Sequence, residues 1–150
     1  MQSSANFRNL ERTGRLVAHI PAREEIAQLL TSAKASLADA RVAAIGNDTR
    51  FDAAYKTIMM SALVSLMAHG FRPATGVPGH HQTMIQLLPV SLGIGSETMV
   101  ELDTLRRKRN LADYTGQPVS LVELDACIAA AAALLETVYK WLRQERPDLA

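Results

Sequence analysis

The C-terminal fifth of the chain carries the pattern that most restricts the fold. Apolar residues recur there at spacings of three and four without interruption, which is the period of one face of an α-helix. Ser120 followed by Glu123 forms a capping-box signature at its start, and Pro147 marks its end. We therefore predict a long helix that packs against neighbouring helices at a shallow angle. Its apolar positions are Leu121, Leu124, Ile128, Ala131, Leu135, Val138 and Leu142.

Two further helices are predicted in the first half of the chain. One begins near Pro21, a residue suited to a first helical turn, and continues to Gly46. The next runs from about Asp48 to His69, with Asp48 or Thr49 as its N-cap. Because this second helix is apolar nearly all round, we expect it at the centre of the fold.

The remaining segments complete a helical bundle. A shorter helix is predicted from about His80 to Leu92, bent or ended near Pro89, and another from Ser96 to about Leu111. No run of alternating apolar and polar residues indicates a strand. We predict an all-α protein: an antiparallel bundle of four to five helices over residues 21–150, preceded by a short arm or helix over residues 1–20.

The overall charge and the single cysteine narrow the class of protein. The formal net charge is +1, so any binding of an anionic partner must depend on a local cluster of cations. Cys127 is the only cysteine, which excludes an intrachain disulfide and fits a reducing compartment. No charge-free stretch is long enough to span a bilayer, and the N-terminus lacks a signal-like apolar run. We expect a cytoplasmic protein without a membrane partner.

A basic segment near the end of the penultimate helix has the pattern closest to a functional site. Arg109 lies seven residues after Leu102 and four after Leu105, so helical geometry places it on their apolar face. Such an arginine points toward the bundle and needs a partner, because burying an unpaired charge is costly. Asp113 is four residues further on, and we predict an ion pair between the two.

Two interpretations of this basic segment stay open. Cations at the end of a helix often serve only to satisfy its dipole and terminal carbonyls, as a solvated, charged helix end. The alternative is a site for phosphate or RNA, to which the position of Arg109 on the apolar face adds weight. The residues of that candidate site are Arg106, Arg107, Arg109, Asn110, Asp113 and Tyr114.

His80 and His81 are candidate accessory residues. Adjacent residues on a helix point about 100° apart, so these two cannot chelate one metal ion by themselves. The other histidines and Cys127 show no metal-ligand spacing, and we predict neither a metal nor a cofactor. His80 as an N-cap or loop-packing residue is the simpler interpretation. The alternative is a role beside Arg109 in a shared cleft.

The pair Arg109-Asn110, followed by Asp113-Tyr114, resembles the motif of the HEPN family (higher eukaryotes and prokaryotes nucleotide-binding domains). That motif is an arginine, a short spacer and a histidine near the end of a late helix. Asn often follows the arginine, and Tyr often follows the motif. Residues 32–41, 54–55, 62–63, 69–73 and 79–81 resemble earlier parts of the family in the same order, so the resemblance covers residues 26–145.

The resemblance implies a helical bundle that acts on RNA. The family's ribonucleases use the arginine and the histidine together, often from two copies facing each other across a homodimer, and a nucleotidyltransferase is a common partner. This chain departs from the motif, because Asp113 and Tyr114 stand where the histidine is expected. Aspartate does not titrate near neutral pH as imidazole does. We therefore expect an RNA- or nucleotide-binding protein of a toxin–antitoxin or defence-type system, without ribonuclease activity.

Two other functions stay open. The first is a homodimeric interaction module that binds no nucleic acid and uses the last helix or the apolar surface near Trp141. The second is a metal-independent ribonuclease that recruits His80 or His81 in place of the missing histidine.

Overall fold

A computed structural model describes the backbone of residues 2–150 and the side chains of residues 5–150. This part of the chain is mostly helical, which confirms the predicted all-α class with a short N-terminal helix. None of its helices combines the length and apolarity needed to cross a membrane. In chain order the elements are α1 (Gln2–Arg12), β1 (Leu16–Ala18), α2 (Arg23–Ala40), α3 (Asn47–Ala68), β2 (Phe71–Pro73), α4 (His80–Gln86), α5 (Leu88–Ser91), α6 (Ser96–Thr115) and α7 (Leu121–Glu145).

Helix α3 lies at the centre of the bundle, as its apolar composition predicted. It packs mainly between α2 and α7, and α4, α5 and α6 also contact it. A buried hydroxyl links it to α2, because Thr57 Oγ1 donates to the carbonyl of Ala33 at 2.8 Å. A buried polar group without such a partner would destabilise the fold, so this bond also fixes how the two helices pack.

Helix α7 begins at the predicted capping box. The hydroxyl of Ser120 accepts a hydrogen bond from the Glu123 amide at 3.1 Å, and the Glu123 carboxylate accepts one from the Ser120 amide at 3.0 Å. The buried face of the helix starts at Leu124, whereas Leu121 is exposed. The apolar pattern therefore located the helix correctly and overestimated its buried face by one turn.

Two predicted helix ends were wrong. Helix α2 ends at Ala40, well before Gly46. The N-cap of α3 is Gly46, without a side-chain cap, and not Asp48 or Thr49. The Asp48 carboxylate instead accepts a hydrogen bond from the backbone amide of Val119 at 2.9 Å. The Asp48 side chain, which the sequence predicted as the cap of α3, therefore binds a loop that is distant in the chain.

The structure contains a two-stranded ribbon that was not predicted. β1 pairs antiparallel with β2, and Leu16 stands opposite Pro73. A strand of three residues offers too few positions for an alternating pattern to be visible, so only the fold reveals it. The backbone carbonyl of Gly70, a residue with φ of +93°, also accepts a hydrogen bond from the His19 amide. The ribbon thereby fastens the N-terminal segment to the end of α3.

Helix α1 belongs to the hydrophobic core. The Phe7 ring is buried, with its centre 4.9 Å from the His69 ring and 5.4 Å from the Phe71 ring. The His69 ring in turn lies 4.9 Å from the Trp141 ring. The segment expected as an arm or helix over residues 1–20 is therefore packed against the bundle, while residue 1 lies outside the described residues.

Candidate functional site

The basic segment lies within α6, which continues past the predicted end at Leu111 to Thr115. Asp113 and Tyr114 are therefore helical, and Gly116 ends the helix in a left-handed conformation with φ of +67°. A glycine suits this position because residues with a Cβ rarely adopt that conformation. The longer helix keeps Asp113 on the same face as Arg109.

The four consecutive cations of α6 have different environments. Only Arg107 fits the description of a solvated helix end, with 71% of its side chain exposed. The Lys108 ammonium lies 3.3 Å from the Glu123 carboxylate and also donates to the carbonyl of Pro118. Arg106 is mostly buried. The interpretation of this run as a solvated surface therefore holds for one of its four residues.

Asp103 orients the first two of these arginines. Its carboxylate lies 2.8 Å from Nε of Arg106 and 3.1 Å from Nε of Arg107. Asp103 is itself buried, so its pairing with Arg106 holds that guanidinium in one place. The sequence analysis did not identify this residue. It lies three and four residues before the two arginines, a spacing at which side chains on a helix can pair, so the pairing could have been predicted.

Arg109 is held by an aromatic ring and by two loosely placed carboxylates. Its guanidinium carbon lies 5.1 Å from the centre of the Tyr55 ring, within the range of a cation–π interaction. Nε lies 3.6 Å from the carboxylate of Asp52, and Nη1 lies 3.9 Å from that of Asp113. The predicted pairing with Asp113 is present but distant, and Asp52 of α3 is the closer acid.

The donor capacity of Arg109 is not used up by these contacts. Its Nε atom is buried, and no described residue forms a hydrogen bond with it. Both carboxylates lie beyond ordinary hydrogen-bond length, while 32% of the side chain stays exposed. Burial, as the largest influence, raises the pKa of Asp52, and Arg109 opposes this rise. The guanidinium of Arg109 is therefore held in position, although its hydrogen-bond donors are not all used.

His80 and His81 approach this arginine from the start of α4. Nδ1 of His81 lies 3.2 Å from the Tyr55 hydroxyl, and the two histidine rings are 4.6 Å apart in an edge-on arrangement. Burial lowers the pKa of His81 most, and His80, Arg109 and Arg106 lower it further through their charges. Burial also raises the pKa of Tyr55 to about 12. Both His81 and Tyr55 are thus uncharged at neutral pH.

Seven of the eight residues singled out in the sequence line one cleft of about 560 Å³, which we call the arginine cleft. Arg107 is the exception, because it points away into solvent. Tyr114 stands at the cleft with 90% of its surface exposed. The cleft is lined by Gly79, His80, His81, Gln82, Arg106, Arg109, Asn110, Asp113 and Tyr114.

A second cavity, of about 600 Å³, adjoins the arginine cleft and shares His80, His81 and Arg109 with it. Its wall is largely apolar and rich in methionine, and we call it the methionine cavity. Nothing in the sequence pattern predicted it, because its wall comes from α2, α3 and α4 together. Its remaining lining residues are Leu29, Ser36, Asp39, Asp52, Ala53, Tyr55, Lys56, Met59, Met60, Leu63, Pro73, Thr75 and Met84.

The described part of the chain contains no cluster of side chains suited to bind a metal ion. Over residues 5–150, whose side chains the structure describes, no group of three His, Cys, Asp or Glu is arranged to hold a metal ion. No protein-family model, no curated protein and no solved structure matches this chain. The chemistry of the two adjoining cavities therefore carries the functional argument.

Proposed function

We propose that the chain is a HEPN-like RNA- or nucleotide-binding protein of the kind found in toxin–antitoxin or defence systems, and that the arginine cleft binds the phosphate. The observation that carries this proposal is the guanidinium of Arg109, which lines the cleft while its buried Nε has no hydrogen-bond partner and lies 3.6 Å from the Asp52 carboxylate. A guanidinium is the group best suited to a phosphate, because its planar donors match two oxygens at once. Here such a group lines an open cleft, and neither of its two carboxylate contacts is within ordinary hydrogen-bond length.

A second arginine of the same chain supports this interpretation by contrast. Arg146 donates to the Asp148 carboxylate from Nε at 3.0 Å and from Nη2 at 2.9 Å, and its Nη1 donates to the carbonyl of Ala68. All three nitrogens are engaged, as expected of an arginine that fastens a C-terminal segment. Arg109 has no comparable set of bonds, which is expected of an arginine that awaits a ligand.

The surroundings of Arg109 favour a nucleic-acid ligand over a simple inorganic anion. Arg106, oriented by Asp103, supplies a second guanidinium in the same cleft. The exposed ring of Tyr114 offers a surface on which a base can stack, an interaction worth about 1–3 kcal/mol per base. A homodimer that brings two such clefts together, and a nucleotidyltransferase partner, belong to the same proposal through the family resemblance.

Binding of a fluorescent single-stranded RNA across a salt series tests the proposal. We expect affinity to fall steeply with salt, because phosphate contacts release counterions. Arg109→Ala should weaken binding about 10- to 100-fold, the effect of losing a charge-assisted contact of about 1.5–3 kcal/mol. The matched control is Arg143→Ala on the exposed surface of α7. Equal binding by Arg109→Ala and wild type would refute the site. No binding at low salt would favour the interaction module.

Ribonuclease activity is a second candidate, favoured by the placement of His80 and His81 beside Arg109. One imidazole would take the proton of a ribose 2′-hydroxyl as its oxygen bonds to phosphorus. The bond to the 5′-oxygen would then break, with a proton delivered to that oxygen by the second histidine in its protonated imidazolium form. Arg109 would stabilise the charge on the non-bridging oxygens.

RNA gels with purified protein separate the two candidates. Cleavage by wild type that is lost in the double variant His80→Ala, His81→Ala would establish the second candidate. Intact RNA under conditions of saturating binding supports the first. Cleavage that survives the double variant would remove both histidines from any catalytic role.

A further inference from the structure

The methionine cavity and the arginine cleft adjoin, and their walls differ in chemistry. They share the side chains of His80, His81 and Arg109, so a ligand seated on Arg109 can extend into either. The arginine cleft presents cations and neutral donors. The methionine cavity presents thioether and aliphatic groups. A ligand that fills both must have an anionic part joined to an apolar or aromatic part.

The wall of the methionine cavity suits a flat aromatic ring. Met59, Met60 and Met84 line it, together with Leu29 and Leu63. Methionine sulfur is polarizable and makes favourable contacts with aromatic rings, and its flexible side chain adapts to them. The volume of about 600 Å³ falls within the range of cavities that hold small organic ligands.

Three charged side chains also line the cavity, and all three are exposed to solvent. Asp39 supplies a carboxylate acceptor and Lys56 an ammonium donor, while Asp52 lies beside Arg109. Polar groups placed in this way in an apolar cavity fix the orientation of a ligand and determine its specificity. An acceptor and a donor are matched by a ring whose edge carries both N–H donors and oxygen or nitrogen acceptors.

We propose that the methionine cavity binds a single purine base, with guanine preferred, of a ligand whose phosphate lies at Arg109. Guanine carries an N–H and an amino group side by side, which match a carboxylate. Its O6 and N7 are acceptors that lysine recognises. The inference rests on the proposed function of the arginine cleft and deepens it. It assigns base recognition to Asp39 and Lys56, and base burial to the methionines.

Calorimetric titration with GMP, AMP, CMP and ribose 5-phosphate tests the proposal. We expect GMP to bind at least about tenfold more tightly than ribose 5-phosphate, because burying a base in a matched pocket adds more than 1.4 kcal/mol. AMP should lie between the two, and CMP near ribose 5-phosphate. Equal affinities for all four would overturn the proposal.

Filling the cavity provides a second test. Ala53→Phe places a ring among the methionines, and we expect it to abolish the advantage of GMP over ribose 5-phosphate. The matched control is Ala132→Phe, since Ala132 is also partly buried on a helix surface but lies on α7, outside the cavity. An unchanged GMP advantage in Ala53→Phe would place the base elsewhere.

The exposed positions test recognition without threatening the fold. Asp39→Asn and Lys56→Gln change exposed side chains, and each should reduce the ratio of GMP to AMP affinity about threefold or more, as expected for one lost polar contact. An unchanged ratio in both variants would refute the guanine preference.

The two proposals fail in different ways. RNA and ribose 5-phosphate binding that depends on Arg109, without any gain from a base, would overturn the base cavity and keep the phosphate site. GMP binding that is lost in Ala53→Phe but unchanged in Arg109→Ala would keep the base cavity and overturn the phosphate site. No binding of any of these ligands would overturn both.

Discussion

The guanidinium of Arg109 stacks over the ring of Tyr55, with 5.1 Å between its central carbon and the ring centre. The tyrosine comes from α3 and the arginine from α6, so the contact links these two helices at the candidate site. The hydroxyl of the same tyrosine lies 3.2 Å from Nδ1 of His81. One buried side chain thereby positions both an arginine and a histidine at the mouth of two cavities.

The first prediction separates the ring of Tyr55 from its hydroxyl. Tyr55→Phe keeps the cation–π contact and should leave RNA affinity within about twofold, while the lost hydrogen bond lowers the free energy of unfolding by about 1 kcal/mol. Tyr55→Leu removes the ring and should weaken RNA binding about fivefold. Fluorescence anisotropy and urea unfolding measure the two effects. Equal RNA binding by both variants would show that the ring does not hold Arg109.

The second prediction concerns pH. Because burial lowers the pKa of His81 below the ordinary 6.5, the unfolded chain binds a proton there more readily than the folded chain does. The contribution to stability is therefore present above pH 6.5 and is lost as the pH falls toward the pKa of the folded state. His81→Gln should make the free energy of unfolding less dependent on pH between 6.5 and about 5, where most carboxylates stay ionised.

Urea unfolding at several pH values measures this dependence. Gln82→Ala, an uncharged neighbour on the same helix and in the same cleft, serves as the control and should keep the wild-type dependence. If His81→Gln and wild type lose stability in parallel over this interval, another group is responsible for the acid sensitivity.

The third prediction compares the acidic residues of two ion pairs, one buried and one exposed. Asp103 is buried and bonds to Arg106, which is also mostly buried, so Asp103→Ala leaves a guanidinium without its partner. We expect a loss of about 2 kcal/mol in the free energy of unfolding. Glu136 pairs with Lys140 on the exposed surface of α7, and Glu136→Ala should cost about 0.5 kcal/mol or less. Urea unfolding curves of the two variants distinguish them, and losses of equal size would contradict the assignment.

The fourth prediction tests whether α1 is part of the core. Phe7→Ala removes a buried ring that contacts His69 and should lower the free energy of unfolding by about 3–4 kcal/mol. The exposed neighbour Arg8 provides the control, and Arg8→Ala should stay within about 0.5 kcal/mol of wild type. The fluorescence of Trp141, the only tryptophan, reports on unfolding because its ring contacts His69. A loss below about 1 kcal/mol for Phe7→Ala would mean that α1 folds and unfolds on its own.

The sequence by itself determined the helical class, the central position of α3 and the capping box that begins α7. These features depend on residues three or four positions apart, and the helix brings such residues together without help from the rest of the chain. The same local geometry placed Arg109 on the inner face of α6 and Asp113 beside it. The helix face that carries the candidate site could therefore be predicted before any tertiary contact was known.

Only the tertiary structure decided what Arg109 faces. Asp52 and Tyr55 precede it by more than fifty residues, and His81 comes from a third helix, so no local spacing connects them to it. The ribbon of β1 and β2 and the bond from Val119 to Asp48 were hidden for the same reason. Periodicity specifies which face of a helix is buried. Which helices meet across that face depends on how their side chains pack, and that packing placed the histidines and Arg109 between the arginine cleft and the methionine cavity.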